Sequence, residues 1–450
     1  MKKYYSHNEI QRFITKHRVE LAHDLKLERY YKNNNDINMV HKADGKANHH
    51  CSNPFAHQIV STMTSYFASK PVQITSDNEA VQEVLGEFLR YNDFDKVLIE
   101  VTENVGIYGN GAILTFIDAN GNVRFASVNP MELIVIRDND VLGDIHTIIR
   151  SWECESNDNG RVHYVEVYDA ECVRKFYIDE KEIFNEVVEP HYFGDVPFTI
   201  FQANQQNMGF FERVIPLIDS YDLLQSETLN LTSDLSDAIL LIAGVELGES
   251  EIHSINQMRL LNVSDIESGV DVRYITKDAP TNEETKTRLR NDIFSLSQIC
   301  DINSEAFGQA VSGTALKIKM SSMEFLAGVM EGYFKLAIRR LVELWANVGQ
   351  LLGGVSTDEI IRGLSIRMER NIVSNEAEQI QNALQLSTLL SKETTLGLLT
   401  NFITDVAEEQ DRLAKEQEEK QAMFNPYGEG EFEQPTEDTE DKEDKEEQDE

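Results

Sequence analysis

Five side chains able to hold a metal crowd into one short stretch: His41, His49, His50, Cys51 and His57. A structural zinc site takes ligands in spaced pairs that close a tetrahedron. The adjacent residues His49, His50 and Cys51 give poor tetrahedral geometry and no second pair stands nearby, so the stretch is expected to be a polar surface loop without metal. Gly106, Gly109 and Gly111 form a glycine-rich run, yet it lacks the strand-to-helix order and the lysine of a phosphate-cradling loop, and it predicts a turn. Asp138, Asp140 and Asp144 with Gly143 invite comparison with a calcium loop. There Leu142 occupies a ligand position and Ile149 stands where the bidentate glutamate belongs, so the match fails. Neither a nucleophile elbow nor a His-Glu-x-x-His pair occurs, and no two separated carboxylates share an apolar setting. The sequence therefore predicts no catalytic residue, no metal and no cofactor.

The stronger pattern belongs to the elements that carry side chains. Over residues 214–242, Val214, Leu217, Tyr221, Leu224, Thr228, Leu231, Leu235, Ala238 and Ile242 fall on one stripe. Asp219, Asp222, Glu227, Asn230, Asp234 and Asp237 fall off it. Over residues 316–351, Leu316, Met320, Met323, Ala327, Met330, Phe334, Ala337, Leu341, Leu344, Val348 and Leu351 repeat the same spacing. Such a sustained repeat predicts long helices that bury a narrow stripe against a partner. At about 1.5 Å per residue each spans roughly 45–55 Å, wider than a small domain. Most apolar stripes are simply core, but rods of this length need equally long partners, which a ring of identical chains provides. Gly328 and Gly332 permit a bend in the second rod.

Composition narrows the function classes. A chain of 450 residues with 41% hydrophobic content can fill two or three cores. Its formal net charge is −37, of which −11 lies in residues 429–450 and −26 in the body. That argues against a basic face gripping nucleic acid, because such affinity comes from Lys and Arg neutralising phosphates. Cys51, Cys154, Cys172 and Cys300 are scattered without a pairing framework, as suits free thiols in a reducing compartment. The longest apolar run, near 238–245, falls far short of the roughly 20 residues that span a bilayer, so a soluble protein made in the cytoplasm, without a membrane partner, is expected.

Along the chain, Ser6 and Glu9 have capping-box spacing ahead of an amphipathic helix. Asn53 reads as an N-cap with Pro54 at the first helical position of a second helix, and two shorter helices flank Asn92. From Gly109 the period changes to alternation, predicting strands over 112–117, 123–128, 133–136, 145–152, 162–168 and 173–178, with 190–202 returning. Short connections make this sheet mostly antiparallel. An insert at 244–279 carries strand-like pieces at 258–263 and 270–275. Thr281 and Glu284 form another capping box, a small polar loop fills 301–313, and helices follow 353. Residues 423–450 are acidic and predicted to be disordered. The fold class expected is α+β, mainly α.

Several segments, taken in order, resemble portal proteins of tailed bacteriophages, of the type found in long-tailed phages of Gram-positive bacteria. They are 53–74 (NPFAHQIVSTMTSYFASKPVQI), 108–135 (YGNGAILTFIDANGNVRFASVNPMELIV), 165–169 (VEVYD), 218–244, 312–327 (SGTALKIKMSSMEFLA) and 390–411. The resemblance implies a ring of twelve copies, or thirteen when isolated, around a channel for double-stranded DNA at one capsid vertex. It implies a wing at 1–207, a stem helix at 208–243, a clip at 244–279 and a second stem helix at 280–300. A tunnel loop at 301–313, a long bent helix at 314–354 returning to the wing and a crown at 355–422 would follow, with the acidic tail at 423–450. By this likeness the clip residues Glu249, Glu251, His253, Asn256 and Arg259 meet the terminase large subunit and later the head-to-tail adaptor. Asn303, Ser304, Glu305, Phe307, Gln309, Val311 and Ser312 would face DNA in the tunnel loop. The off-stripe acids Asp219, Asp222, Glu227, Asp234 and Asp237 would line the stem channel, where they repel a sliding duplex instead of binding it. Scaffolding and major capsid proteins complete the implied partners, and the rival reading is an oligomeric structural or scaffolding protein without a DNA channel.

Overall fold

The computed structural model describes residues 4–41, 47–139, 141, 143–155, 161–179, 182–236, 239–243, 260–263, 271–275, 282–304, 307, 313–348, 355–371, 376–387, 390–397 and 409–416. The chain parts into two units, 1–372 and 373–450. In the first, α1 (His7–Tyr31), α2 (Phe55–Ala68), β1 (Gln73–Ser76), α3 (Glu79–Tyr91) and α4 (Phe94–Tyr108) precede the sheets. The box at Ser6 and Glu9 caps α1 reciprocally, backbone N–H to side chain in both directions. Pro54, not Asn53, stands at the N-cap of α2, without a side-chain capping bond.

Strands β2 (Asn110–Ile117), β3 (Val123–Val128), β4 (Leu133–Arg137), β5 (Ile145–Glu155), β6 (Arg161–Tyr168), β7 (Cys172–Asp179), β8 (Glu182–Pro190) and β9 (Phe198–Gln202) make two antiparallel sheets. One runs β3-β2-β9 and the other is a meander, β4-β5-β6-β7-β8. One meander face, with Ile149, Val165 and Phe176, packs on Ile10 and Ile14 of α1. Its other face meets Ala112, Val128 and Phe198 of the smaller sheet. Strand β8 escaped the sequence reading because its run Glu-Ile-Phe-Asn-Glu-Val-Val-Glu does not keep period two. The glycine-rich run is structural: Gly109 ends α4 at φ +78°, and a Cβ there would lie 2.0 Å from the Asn207 carbonyl oxygen.

Helix α5 (Ile215–Ser236) is shorter than its apolar repeat suggests. Residues 239–243, expected to continue it, form β10 (Ile239–Ala243), parallel to β11 (Leu260–Val263) and antiparallel to β12 (Asp271–Ile275). The β-branched and leucine run Ile-Leu-Leu-Ile finds strand partners instead of a helical neighbour. After α6 (Glu283–Ser297), whose cap is Asn282, come α7 (Gly313–Lys319) and α8 (Ser321–Val348). The single bent rod expected over 314–354 is thus two helices broken at Met320, and α8 continues through Gly328 and Gly332. α9 (Thr357–Arg362) precedes β13 (Leu364–Arg367). Residues 364–367 were expected in a helical crown, but β13 pairs with β1 and so joins the first unit. The second unit contains α10 (Glu376–Leu386), α11 (Lys392–Gly397) and a helical stretch at 409–416.

The core of the first unit gathers around α2, α4 and α8. Phe334 on α8 meets Phe67 of α2 with ring centroids 4.9 Å apart and Phe201 of β9 at 5.1 Å, both edge to face. Among the described residues no helix is long and apolar enough to cross a membrane.

Candidate functional site

The face of α5 turned to its own chain is polar. Asp222, Ser226 and Asn230, four residues apart, are all buried. An extended strap, residues 49–53, lies antiparallel along them. The backbone N–H of His49 donates to Asn230 Oδ1 at 2.6 Å, that of Cys51 to Ser226 Oγ at 2.9 Å, and that of Asn53 to Asp222 Oδ1 at 3.1 Å. The match is metric: two extended residues advance about 6.6 Å and four helical residues about 6 Å. Every second strap amide therefore meets the next polar turn. Asp222 also accepts from the side-chain amides of Asn53 at 2.7 Å and Asn35 at 2.5 Å. Burial pushes its carboxyl above the usual range, although the Asn35 and Asn53 donors oppose that rise.

This arrangement overturns part of the expected channel wall. Asp222 is fully buried inside its own subunit, and Asp219 accepts a hydrogen bond from the Tyr30 hydroxyl. Asp222 therefore lines no open face, whereas Asp219 is half-buried. Glu227 is half-buried. Asp234 lies in the last turns of α5, and Asp237 falls outside the described residues. The stretch that crowds metal-binding side chains is the strap itself, and His49 and Cys51 use their backbone amides there. His57 stacks on Tyr31 at 5.2 Å. Among the described residues no group of three or more His, Cys, Asp or Glu could hold a metal ion.

Beyond α6 the chain is pinned at the start of the expected tunnel loop. Arg290 forks onto both oxygens of Asp301, at 2.9 and 3.3 Å. Asp301 Oδ1 also accepts from the Asn303 N–H, and the Ser304 hydroxyl donates to the Asp301 carbonyl. Phe307 is half-buried and packs against the helical core. The aromatic ring costs less in that core than in water. Asn303 is exposed. Glu305, Gln309, Val311 and Ser312 lie outside the described residues, as do the clip positions Glu249, Glu251, His253, Asn256 and Arg259.

One ionic cluster had no counterpart in the sequence reading. Arg370 reaches Glu331 Oε2 at 2.5 Å and Glu324 Oε2 at 3.2 Å on α8, and lies over the Phe67 ring. The Tyr66 hydroxyl donates to the same Glu324 carboxylate, and the Asn371 N–H donates to the Tyr66 carbonyl. Burial raises the Glu331 carboxyl, but Lys335 and Arg370 outweigh it and hold the group below its usual range. Glu331 and Lys335 have salt-bridge spacing on α8, whereas Arg370 is 39 residues beyond Glu331 and only folding brings them together. A cleft of about 860 Å³ between α8 and the sheets is lined by Arg137, His146, Asp169, Arg340 and Glu343, among others. Arg340 is spent there on Asp195, at 2.7 Å, and on Glu343.

The described residues thus position long helices, a polar clasp and ionic locks. The family comes from comparison with known proteins. Residues 10–423 match the family model described as phage portal protein, SPP1 Gp6-like. The chain is 24% identical over 445 residues to the portal protein of Bacillus phage SPP1, covering 90% of this chain and 86% of that relative. The chain belongs to the phage portal protein family.

Proposed function

As a member of the phage portal family, this chain, we propose, assembles into a closed ring of twelve copies at one capsid vertex. The ring is the channel through which double-stranded DNA is packaged and ejected. It is also the platform on which the terminase large subunit docks during packaging and the head-to-tail adaptor afterwards. The observation that carries this reading is the family match, which runs through 10–423 and so takes in both long helices and everything between them. ATP hydrolysis belongs to the motor.

Within that reading residues 1–207 act as wing, 208–243 and 280–300 as stem, 244–279 as clip, 301–313 as tunnel loop, 314–354 as the helical segment returning to the wing and 355–422 as crown, and 423–450 follow as an acidic tail. Arg290 and Asp301 fix the base of the tunnel loop to α6, so the collar moves from a firm anchor. Asn303, Ser304, Glu305, Gln309 and Ser312 give DNA weak polar contact that lets it slide. Net charge of −37 per copy supports the same behaviour, since a wall that bound phosphates tightly would stall translocation.

Electron micrographs of the purified chain test the ring: annular particles with an open centre support it, and filaments, solid particles or monomers defeat it in favour of a scaffolding role. Deleting 305–309 tests the collar by the length of DNA packaged and retained, and unchanged packaging removes that role from the loop.

A further inference from the structure

The five-stranded meander carries a row of aromatic rings that no core cluster includes. Trp152, Tyr164, Tyr177 and Phe184 stand directly opposite one another on β5, β6, β7 and β8. Consecutive ring centroids are 5.7, 6.1 and 5.3 Å apart, with the outer two pairs stacked and the middle pair tilted by 49°. Tyr164 and Phe184 are 41% and 38% exposed, and Trp152 and Tyr177 are half-buried. The same sheet face packs on the smaller sheet through Ile148, Tyr168 and Val173. A charged row, Arg150, Glu166 and Lys175, separates that contact from the rings, so the rings do not extend the core. Cross-strand aromatic pairs do stabilise their own strands. Stabilisation alone gives no use to the polar tips: among the described residues none accepts from the Trp152 indole N–H or from the Tyr164 and Tyr177 hydroxyls.

The rail offers donors, and the acceptors beside it are already engaged. Arg150 bridges Glu132 and Glu166 at 2.9 and 3.4 Å, Glu166 also accepts from the Tyr168 hydroxyl, and Lys175 holds Glu189 at 2.5 Å. A ligand that fits therefore brings apolar bulk and carbonyl acceptors with few donors of its own. Proline has no backbone N–H, and a polyproline II segment leaves its carbonyls without internal partners. The repeat matches as well: one polyproline II turn rises about 9.3 Å and two strand spacings measure about 9.6 Å, so prolines three residues apart meet alternate rings. Charge narrows the class further. Three carboxylates face two bases beside the rail in a chain of net charge −37, which favours a cationic ligand and disfavours a phosphate-bearing strand. We propose that the rail binds an extended, proline-rich, basic segment of a partner protein, with prolines on the rings and carbonyls on the tips of Trp152, Tyr164 and Tyr177. The site stands apart from the ring proposed above, because a single subunit carries the whole rail.

Fluorescence anisotropy of the intact chain tests it, with labelled Pro-x-x-Pro peptides that carry an arginine beside the prolines. Saturable binding is expected, and the same peptides with glycine in place of proline should bind about tenfold more weakly or worse. Tyr164→Phe combined with Tyr177→Phe keeps the rings and removes two donors. This double variant should also lose about tenfold in affinity, with an unchanged melting temperature. Tyr192→Phe, at a tyrosine 70% exposed and outside the rail, should bind as the wild type does. The proposal is overturned if no proline peptide saturates, if the glycine peptides bind equally well, or if the double variant binds as tightly as the wild type. Tighter binding of a single-stranded oligothymidine or a neutral oligosaccharide overturns it too.

Discussion

Helices α5 and α8 carry nearly the same apolar repeat and are buried in opposite senses. α8 turns its repeat inward: Met323, Ala327, Met330, Phe334, Ala337 and Leu341 are all in the core. α5 turns its repeat to the core only in its first turns, where Leu217 and Tyr221 are partly buried, and from Asp222 onward it is the polar side that is fully buried. The difference lies in the partner. α8 faces the aromatic and aliphatic side chains of α2 and β9, whereas α5 faces a strap whose backbone amides need acceptors. A buried N–H left without an acceptor costs about 1–3 kcal/mol, so a polar stripe suits a backbone neighbour as an apolar one suits a hydrocarbon neighbour.

Truncation separates the two helices most sharply. Phe334→Ala should lose about 3–5 kcal/mol in chemical denaturation, since it opens a cavity among Phe67, Phe201 and their neighbours. A loss below 1 kcal/mol would show that the α8 core collapses around the gap. On α5 the sensitive position is polar: Asp222→Ala should cost about 1–3 kcal/mol by stranding the Asn53 N–H and the amides of Asn35 and Asn53. Leu223→Ala on the exposed side should be nearly neutral in the isolated subunit. If Leu223→Ala proves the costlier change, α5 is packed the other way round.

Acid should move the two helices in opposite directions. The folded-state pKa of Asp222 is raised, so the native chain holds that proton more tightly and gains stability as pH falls from 7 toward about 4. Relative to Asp222→Asn, the wild type should become more stable on acidification. Glu331 is depressed by Lys335 and Arg370, so its contribution is present above the unfolded carboxylate pKa and is lost as pH falls through the lower folded value. Relative to Glu331→Gln, the wild type should become less stable over the acid range. Denaturation midpoints at several pH values check both signs, and slopes of one sign at both sites would contradict the comparison.

The smallest effect is a gain. Gly328→Ala should stabilise the monomeric subunit by about 0.5–1 kcal/mol, because it improves helix propensity and meets no neighbour among the described residues. A loss measured on the monomer would mean that α8 needs the glycine for its own backbone.

Local patterns account for most of what could be foreseen. The box at Ser6 and Glu9, the helices either side of Asn92 and the strands from 110 to 179 rest on neighbours a few residues apart, and sequence displays those directly. Less was legible where two outcomes share one pattern. The apolar run 239–243 serves a helix or a strand equally, and the strand partners at 260–263 and 271–275 decided it. Phe307, a large apolar side chain in an otherwise polar loop, has core neighbours that only the fold supplies.

By itself the sequence determined the mixed helical and sheet composition, the presence of a long helix in each of the two apolar repeats and, through the order of its segments, the portal family. It also separated the faces of α5, apolar on one side and acidic on the other. Which face is buried was decided only in three dimensions. Periodicity sorts side chains into faces through local geometry, but burial depends on what lies opposite. The strap that covers Asp222 comes from residues about 170 positions earlier, and its backbone amides carry no signature in side-chain pattern. Arg370 on Glu324 and Glu331 follows the same rule: charge can be read from sequence, whereas the partner that neutralises it is supplied by the fold.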